Sequence, residues 1–451
     1  MNDLHGLSLG TENAAAAASL NRALASYLGY RADVSDHVKA ALQADPAFAL
    51  AHCVKGYLMM LAYNRAYVEI AAEAQRAAAQ AASGASAREQ AHVRALGHWI
   101  AGDLDGALRV WEEVLVEHPA DVLALRLAHF NYFWLGRAAE MRASVERVLP
   151  RWSDSLAAYP TLLSCLSFAL EECGEYAAAE RAGRRAVELD PADVWGTHAI
   201  AHVMEMQGRR DEGIAWLAAL ERHWEGKNNI VHHLWWHRAM FHFERREFDA
   251  VLELYDRRFR NLSSPLVAAM PDLYIDVQNA ASMLFRLERQ GVDVGERWRE
   301  IADKAQARVG DCLSAFTLPH WMMALAATER HAVAESLLQA MREHGAGPSS
   351  TAGAVREVAL PVCEAVLANR RGQHERAITL MTPVLERLHE LGGSHAQRDV
   401  LEQLYLDSSV KANRSAEVRR LLDGLAARFP VPPAQRVGYA AAATATGSRR
   451  P

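Results

Sequence analysis

The chain gathers seven of its twenty histidines between Trp195 and Glu247, in the stretch WGTHAIAHVMEMQGRRDEGIAWLAALERHWEGKNNIVHHLWWHRAMFHFERRE. In a helix, residues three, four and seven apart share a face. His198, His202 and Glu205 have that spacing, with Trp195 one turn earlier. His233, His237, Met240 and Glu244 repeat it, and Trp235, Trp236 and His242 fall on neighbouring faces. Two successive helices thus each offer a His-x-x-x-His pair followed by a carboxylate. Imidazoles one turn apart can ligate a divalent metal, candidates being His198, His202, His233 and His237, with a second helix completing the shell. Imidazole also titrates near neutrality, so His198, His202, Glu205 and His237 are the candidate acids, bases or nucleophile activators of an enzyme. The plainer account is that these residues fill space between helices and bond to one another, because His-x-x-x-His alone is a weak motif.

Further groups join the list from later helices. Asp272 and Asp276 are four apart, with Asn279 on the same side. Asp276 and Asn279 are placed to meet the histidines, whereas Asp272, just after Pro271, suits a positive helix N-terminus. His320 stands in the apolar stretch FTLPHWMMALA, where Trp321, Met322 and Met323 read as packing. His52, Tyr57, Tyr63 and Asn64 are candidates to line another part of the groove, although their spacing is ordinary for repeat packing. There is no Gly-rich phosphate loop, no Gly-x-Ser-x-Gly and no His-Glu-x-x-His, so no familiar catalytic motif names a reaction.

What must hold these residues is a long series of helices. Alanine is abundant, glycine and proline are modest, and the balance favours helix over strand. Asp45-Pro46, Pro119, Pro150, Asp190-Pro191 and Pro430 follow apolar-periodic segments, as breakers do after a helix C-terminus. Gly102-Asp-Leu-Asp-Gly-Ala107, Trp111 and Pro119 fit the second helix of a tetratricopeptide repeat; so do Gly174, Ala179, Gly183 and Pro191. The two prolines lie about two 34-residue periods apart. Small residues at Ala107, Ala179, Ala201 and Gly213 suit helices in close approach. The expected map is all-α, an α-solenoid of antiparallel helix pairs forming one continuous domain over 1–430. A sub-boundary is expected near 345–353, and 431–451 read as a disordered tail from their low-complexity composition.

Charge and cysteine content narrow the partners. The net charge is −6 with no large basic field, which argues against nucleic acid. Cys53, Cys165, Cys173, Cys312 and Cys363 are scattered without Cys-x-x-Cys, which suits buried thiols in a reducing compartment. The N-terminus lacks a basic n-region and no apolar run of about twenty residues occurs, so a cytoplasmic location without membrane insertion is expected.

Four blocks together resemble the tetratricopeptide repeat protein 38 family and its bacterial relatives. They are GLSLGTENAAAAASLNRALASYLGYRAD, HAIAHVMEMQGRRDEG, HHLWWHRAMFHFE and DVQNAASMLFRLE. The resemblance covers essentially the whole chain and implies a right-handed superhelix in which the first helix of each pair lines a concave surface. That places His198, His202 and Glu205 toward the groove. For the next unit two registers fit: one turns His233 and Trp236 inward, the other His232, Trp235 and His242. No established reaction comes with the family.

The expected function is therefore a binding protein. Its pocket holds Trp195, His198, His202, Glu205, His233, Trp236, His237, Asp276, Asn279 and His320, for a small molecule or peptide. An enzyme of hydrolase or lyase type, with or without a divalent metal cofactor, and a structural adaptor for a protein partner are the alternatives.

Overall fold

The computed structural model describes residues 1–447. The fold is all-α and built of consecutive helix pairs. Among the described residues only two isolated β-bridges occur, Asn2 with Ser8 and Arg31 with Lys227. No helix among these residues is long and apolar enough to cross a membrane. Where one continuous domain was expected, the chain divides into two compact units. Unit 1 is Met1–Ile200, Leu220–Ile230 and Pro348–Ser350; unit 2 is Ala201–Ala219, Val231–Gly347 and Thr351–Pro451.

In unit 1 the pairs are Ala14–Leu28 with Val34–Ala44, Ala49–Met60 with Val68–Ala81, and Ala87–Ile100 with Leu104–Glu117. Val122–Trp134 with Ala138–Val148 and Tyr159–Glu172 with Tyr176–Leu189 complete them. In three of the five pairs a glycine makes the turn, at Gly102, Gly136 and Gly174, while Tyr30 and Tyr63 take the left-handed position in the other two. After the Tyr159–Glu172 helix, Gly174 takes φ +80°, where its N–H bonds to the Glu171 carbonyl and the Glu175 N–H to the Leu170 carbonyl. Those two bonds satisfy carbonyls the helix end would otherwise leave open. A buried polar network ties neighbouring pairs together. Asp121 accepts from Arg88 at 2.8 Å and pairs with His92 at 3.1 Å, and also caps the Val122–Trp134 helix at Ala124 N–H. The Tyr57 hydroxyl donates to the His92 carbonyl and accepts from the Trp111 indole. Tyr57 is thus a packing residue, and His52 bonds to the Pro46 carbonyl.

In unit 2 the pairs are Tyr274–Arg289 with Arg297–Ala307, Thr317–Ala327 with His331–Gly345, Leu360–Arg370 with His374–Met381, and His395–Lys411 with Ser415–Arg428. The Arg210–Leu220 and Ile230–Glu244 helices approach closely at Gly213, where a Cβ would stand 2.2 Å from the Phe241 ring. The small residue anticipated there is required by that contact.

The segment after Pro430 is ordered through Gly447 in place of the expected disorder; residues 448–451 lie outside the described residues. Tyr439 is buried and donates to Asp399 Oδ1 at 2.6 Å. Arg436 pairs with the same carboxylate at 2.9 Å, and the Val437 N–H donates to Glu244 at 3.0 Å. The Ala440–Gly447 helix then packs on Ser415–Arg428. Low complexity comes from the alanines of that last helix; the anchoring residues precede it.

Candidate functional site

The site begins on the Val194–Met206 helix. Asp193 starts it by accepting the N–H groups of Trp195 and Gly196, its second oxygen held by Ser164. The helix is continuous from unit 1 into unit 2, with His198 in the first and His202 and Glu205 in the second. Within unit 1, His198 stacks on Trp195 with ring centroids 4.6 Å apart. Trp195 also faces the Arg126 guanidinium at 4.6 Å.

Within unit 2, His202 meets two imidazoles of the Ile230–Glu244 helix. Its ring centroid is 4.4 Å from that of His237 and 6.5 Å from that of His233, and the last two rings are 4.7 Å apart. A ring nitrogen from each of the three lies within 4.8 Å of the others. His237 Nδ1 bonds to Glu205 Oε2 at 2.9 Å, and His233 Nδ1 to Asn279 Oδ1 at 2.9 Å. The Trp236 ring stacks on His233 at 5.2 Å, nearly parallel. Three helices therefore contribute: Val194–Met206, Ile230–Glu244 and Tyr274–Arg289.

Burial sets the electrostatics. His202 and His237 are 0% exposed and His233 2%, and desolvation disfavours the charged form of each. Burial lowers His237 to about 3 and holds His202 and His233 well below the usual histidine range, neighbouring imidazoles adding to the effect. All three rings are thus neutral at pH 7. Burial lifts Glu205 to about 7, against the pull of Arg286 and Arg436. Glu205 also borders a small pocket together with Arg210, Phe241, Glu244, Phe429 and Arg436.

The remaining expected site residues separate from this group. Asp276 lies in the first turn of the Tyr274–Arg289 helix and pairs with His232 at 3.0 Å. Asp272 falls before that helix begins and pairs with Arg308 at 3.0 Å; the helix starts later than Pro271 suggests, which exchanges the positions assigned to the two aspartates. His320 bonds through Nδ1 to the Phe316 carbonyl of the preceding turn. The two registers weighed for Ile230–Glu244 are both partly realised, since His232, His233, Trp235, Trp236 and His237 are all buried. Side chains expected to line an open groove are enclosed: Trp195, His198, His202, His233, Trp236, His237, Asp276, Asn279 and His320 all are.

Arg286, Asp399 and Arg436 belong to this neighbourhood and have no counterpart among the sequence candidates. Arg286 is fully buried, pairs with Asp399 at 3.3 Å and lies 5.9 Å from the Trp236 ring. Its spacing from Asn279, seven residues along one helix, is the one signal that could have marked it.

No family model matches the chain. Among solved structures, a chain in the structure of Naa15/Naa10 bound to HypK-THB is similar to it, with 13% sequence identity and a TM-score of 0.26. The likeness covers 92% of this chain and 63% of that one, so the chain spans less than two thirds of its neighbour's length.

Proposed function

We propose that the protein is a ligand-binding helical-repeat protein whose binding centre is the imidazole cluster of unit 2, and that the ligand is compact rather than an extended peptide. The observation that carries this reading is the enclosure of His202, His233 and His237, from two helices, with Glu205 and Asn279 bonded behind them. Polar groups are costly to bury, and side chains so enclosed offer no open strip to a peptide. Membership of the tetratricopeptide repeat protein 38 family belongs to the same proposal, supported by the HAIAHVMEM and HHLWWHRAMFHFE blocks that hold the cluster. So does a reducing, cytoplasmic setting, supported by five cysteines outside any disulfide. Native mass spectrometry of chain purified without an affinity tag tests the binding reading. A reproducible added mass, lost in the His233→Ala/His237→Ala double variant, is expected; identical bare masses for both proteins would defeat it.

A second reading, an enzyme on the same residues, is favoured by Glu205, whose carboxyl titrates near neutrality beside a pocket, as a general acid or base requires. A hydrolysis screen on p-nitrophenyl esters and phosphates would compare wild type with Glu205→Gln. Equal rates in the two would remove Glu205 from any catalytic role.

A further inference from the structure

We propose that the compact ligand is a divalent metal ion of the zinc type, bound by one ring nitrogen each of His202, His233 and His237. This rests on the binding reading above and names its ligand. The first argument is tautomeric. Asn279 Oδ1 is an acceptor, as is Glu205 Oε2 in the ionised carboxylate, so Nδ1 of His233 donates to the one and Nδ1 of His237 to the other when Glu205 is ionised. The proton of each neutral imidazole is then fixed on Nδ1, and Nε2 carries the lone pair. Metal-binding histidines are commonly held this way, the second nitrogen bonded to a carboxylate or another oxygen so that ring and tautomer are set before the ion arrives.

The second argument is convergence. Nitrogens of His202, His233 and His237 lie within 4.8 Å of one another. Zinc–nitrogen bonds of about 2.0–2.1 Å in a tetrahedral shell put neighbouring nitrogens roughly 3.4 Å apart. Ring rotation in the direction of contraction brings the three nitrogens from within 4.8 Å toward that spacing.

The third argument is donor chemistry. An all-imidazole set suits zinc, cobalt, nickel, copper or iron, whereas magnesium and calcium take oxygen ligands. The Glu205 carboxylate behind His237 offsets part of the ion's charge. Asp276, on His232, adds a second carboxylate to the neighbourhood, while the Arg286 cation is already paired with Asp399. Packing alone would explain three buried rings. It would not explain why two of them, on one helix, are each clamped through the same nitrogen by acceptors from two different helices.

The test uses the full chain, purified without a tag, stripped by a chelator and titrated with cobalt(II) chloride as an optical probe, then with zinc chloride in competition. One cobalt ion per chain, an intense visible band of tetrahedral cobalt, and its displacement by zinc are expected. Glu205→Gln and Asn279→Ala should each weaken binding about 10–100-fold without loss of far-ultraviolet circular dichroism. No cobalt band in wild type would overturn the inference, as would unchanged affinity in a folded His233→Ala/His237→Ala variant. If that variant does not fold, the wild-type band and the Glu205→Gln shift decide. A non-metal mass adduct that the double variant loses, together with no cobalt binding, would overturn the metal and leave the binding reading standing. Absence of both would end the two together.

Discussion

Asp121 ties several elements of unit 1 together, bonding Arg88, His92 and the first turn of the Val122–Trp134 helix. These partners hold its carboxyl well below the usual carboxylate range despite burial. A group with a depressed folded-state value stabilises the fold above its unfolded value, about 3.8 for aspartate. That stability is lost as pH falls through the folded value. Asp121→Asn should therefore cost about 3–5 kcal/mol at pH 7, the usual effect of stranding one partner of a buried ion pair. The deficit should shrink below about pH 3.8. Urea unfolding at pH 7 and pH 3 checks this, and an equal deficit at both would show that the charge is not the source. The histidine cluster follows a similar logic of partners. Its pairs were legible because His-x-x-x-His spacing is a local property of one helix. Which acceptor each ring meets was not, because that depends on how the Tyr274–Arg289 helix is rotated about its axis. Hence Asn279 reaches His233, while Asp276 goes to His232.

At the scale of elements, close helix approach makes glycine substitutions differ in sign with position. Gly213→Ala places a methyl carbon 2.2 Å from the Phe241 ring, which is itself buried. Overpacking of about 1–3 kcal/mol should outweigh the roughly 1 kcal/mol gain in helix propensity, for a net loss. Gly424, inside Ser415–Arg428, has open space around it, so Gly424→Ala should stabilise by about 0.5–1 kcal/mol. Paired thermal melts measure both, and the same sign for the two would refute the packing argument. Helix positions could be read from the sequence because proline, glycine and apolar period mark them locally. The C-terminal segment could not, because its order depends on Arg436 and Tyr439 finding Asp399, well over thirty residues earlier in the chain. Tyr439→Phe removes one hydrogen bond to that carboxylate, worth about 1.5 kcal/mol at the lower end for a charged acceptor. Arg436 and Gln403 keep the carboxylate partnered, so protease cleavage after Arg428 should become faster without global unfolding.

The division into two units is the feature of the whole molecule least visible in its sequence. A repeat period describes each hairpin and its neighbour, but it does not say where contacts cease to be shared. Nor does it say that Pro348–Ser350 belongs with unit 1, where the Ser350 N–H bonds to the Gly102 carbonyl at 2.9 Å. Each unit has a buried polar anchor of its own, Asp121 in the first and Asp399 in the second. Units with separate cores should melt separately, so scanning calorimetry should resolve two transitions. Asp121→Asn should lower one of them and Tyr439→Phe the other, by about 2–4 °C for each kcal/mol lost in a unit of this size. Cobalt or zinc bound at His202, His233 and His237 should raise the transition that Tyr439→Phe lowers, because those ligands lie in unit 2. At a free-ion concentration one hundred times the dissociation constant the gain would be about 2.7 kcal/mol. A single transition moved alike by both substitutions would mean that the Val194–Met206 helix, which runs through the division, couples the units into one cooperative fold.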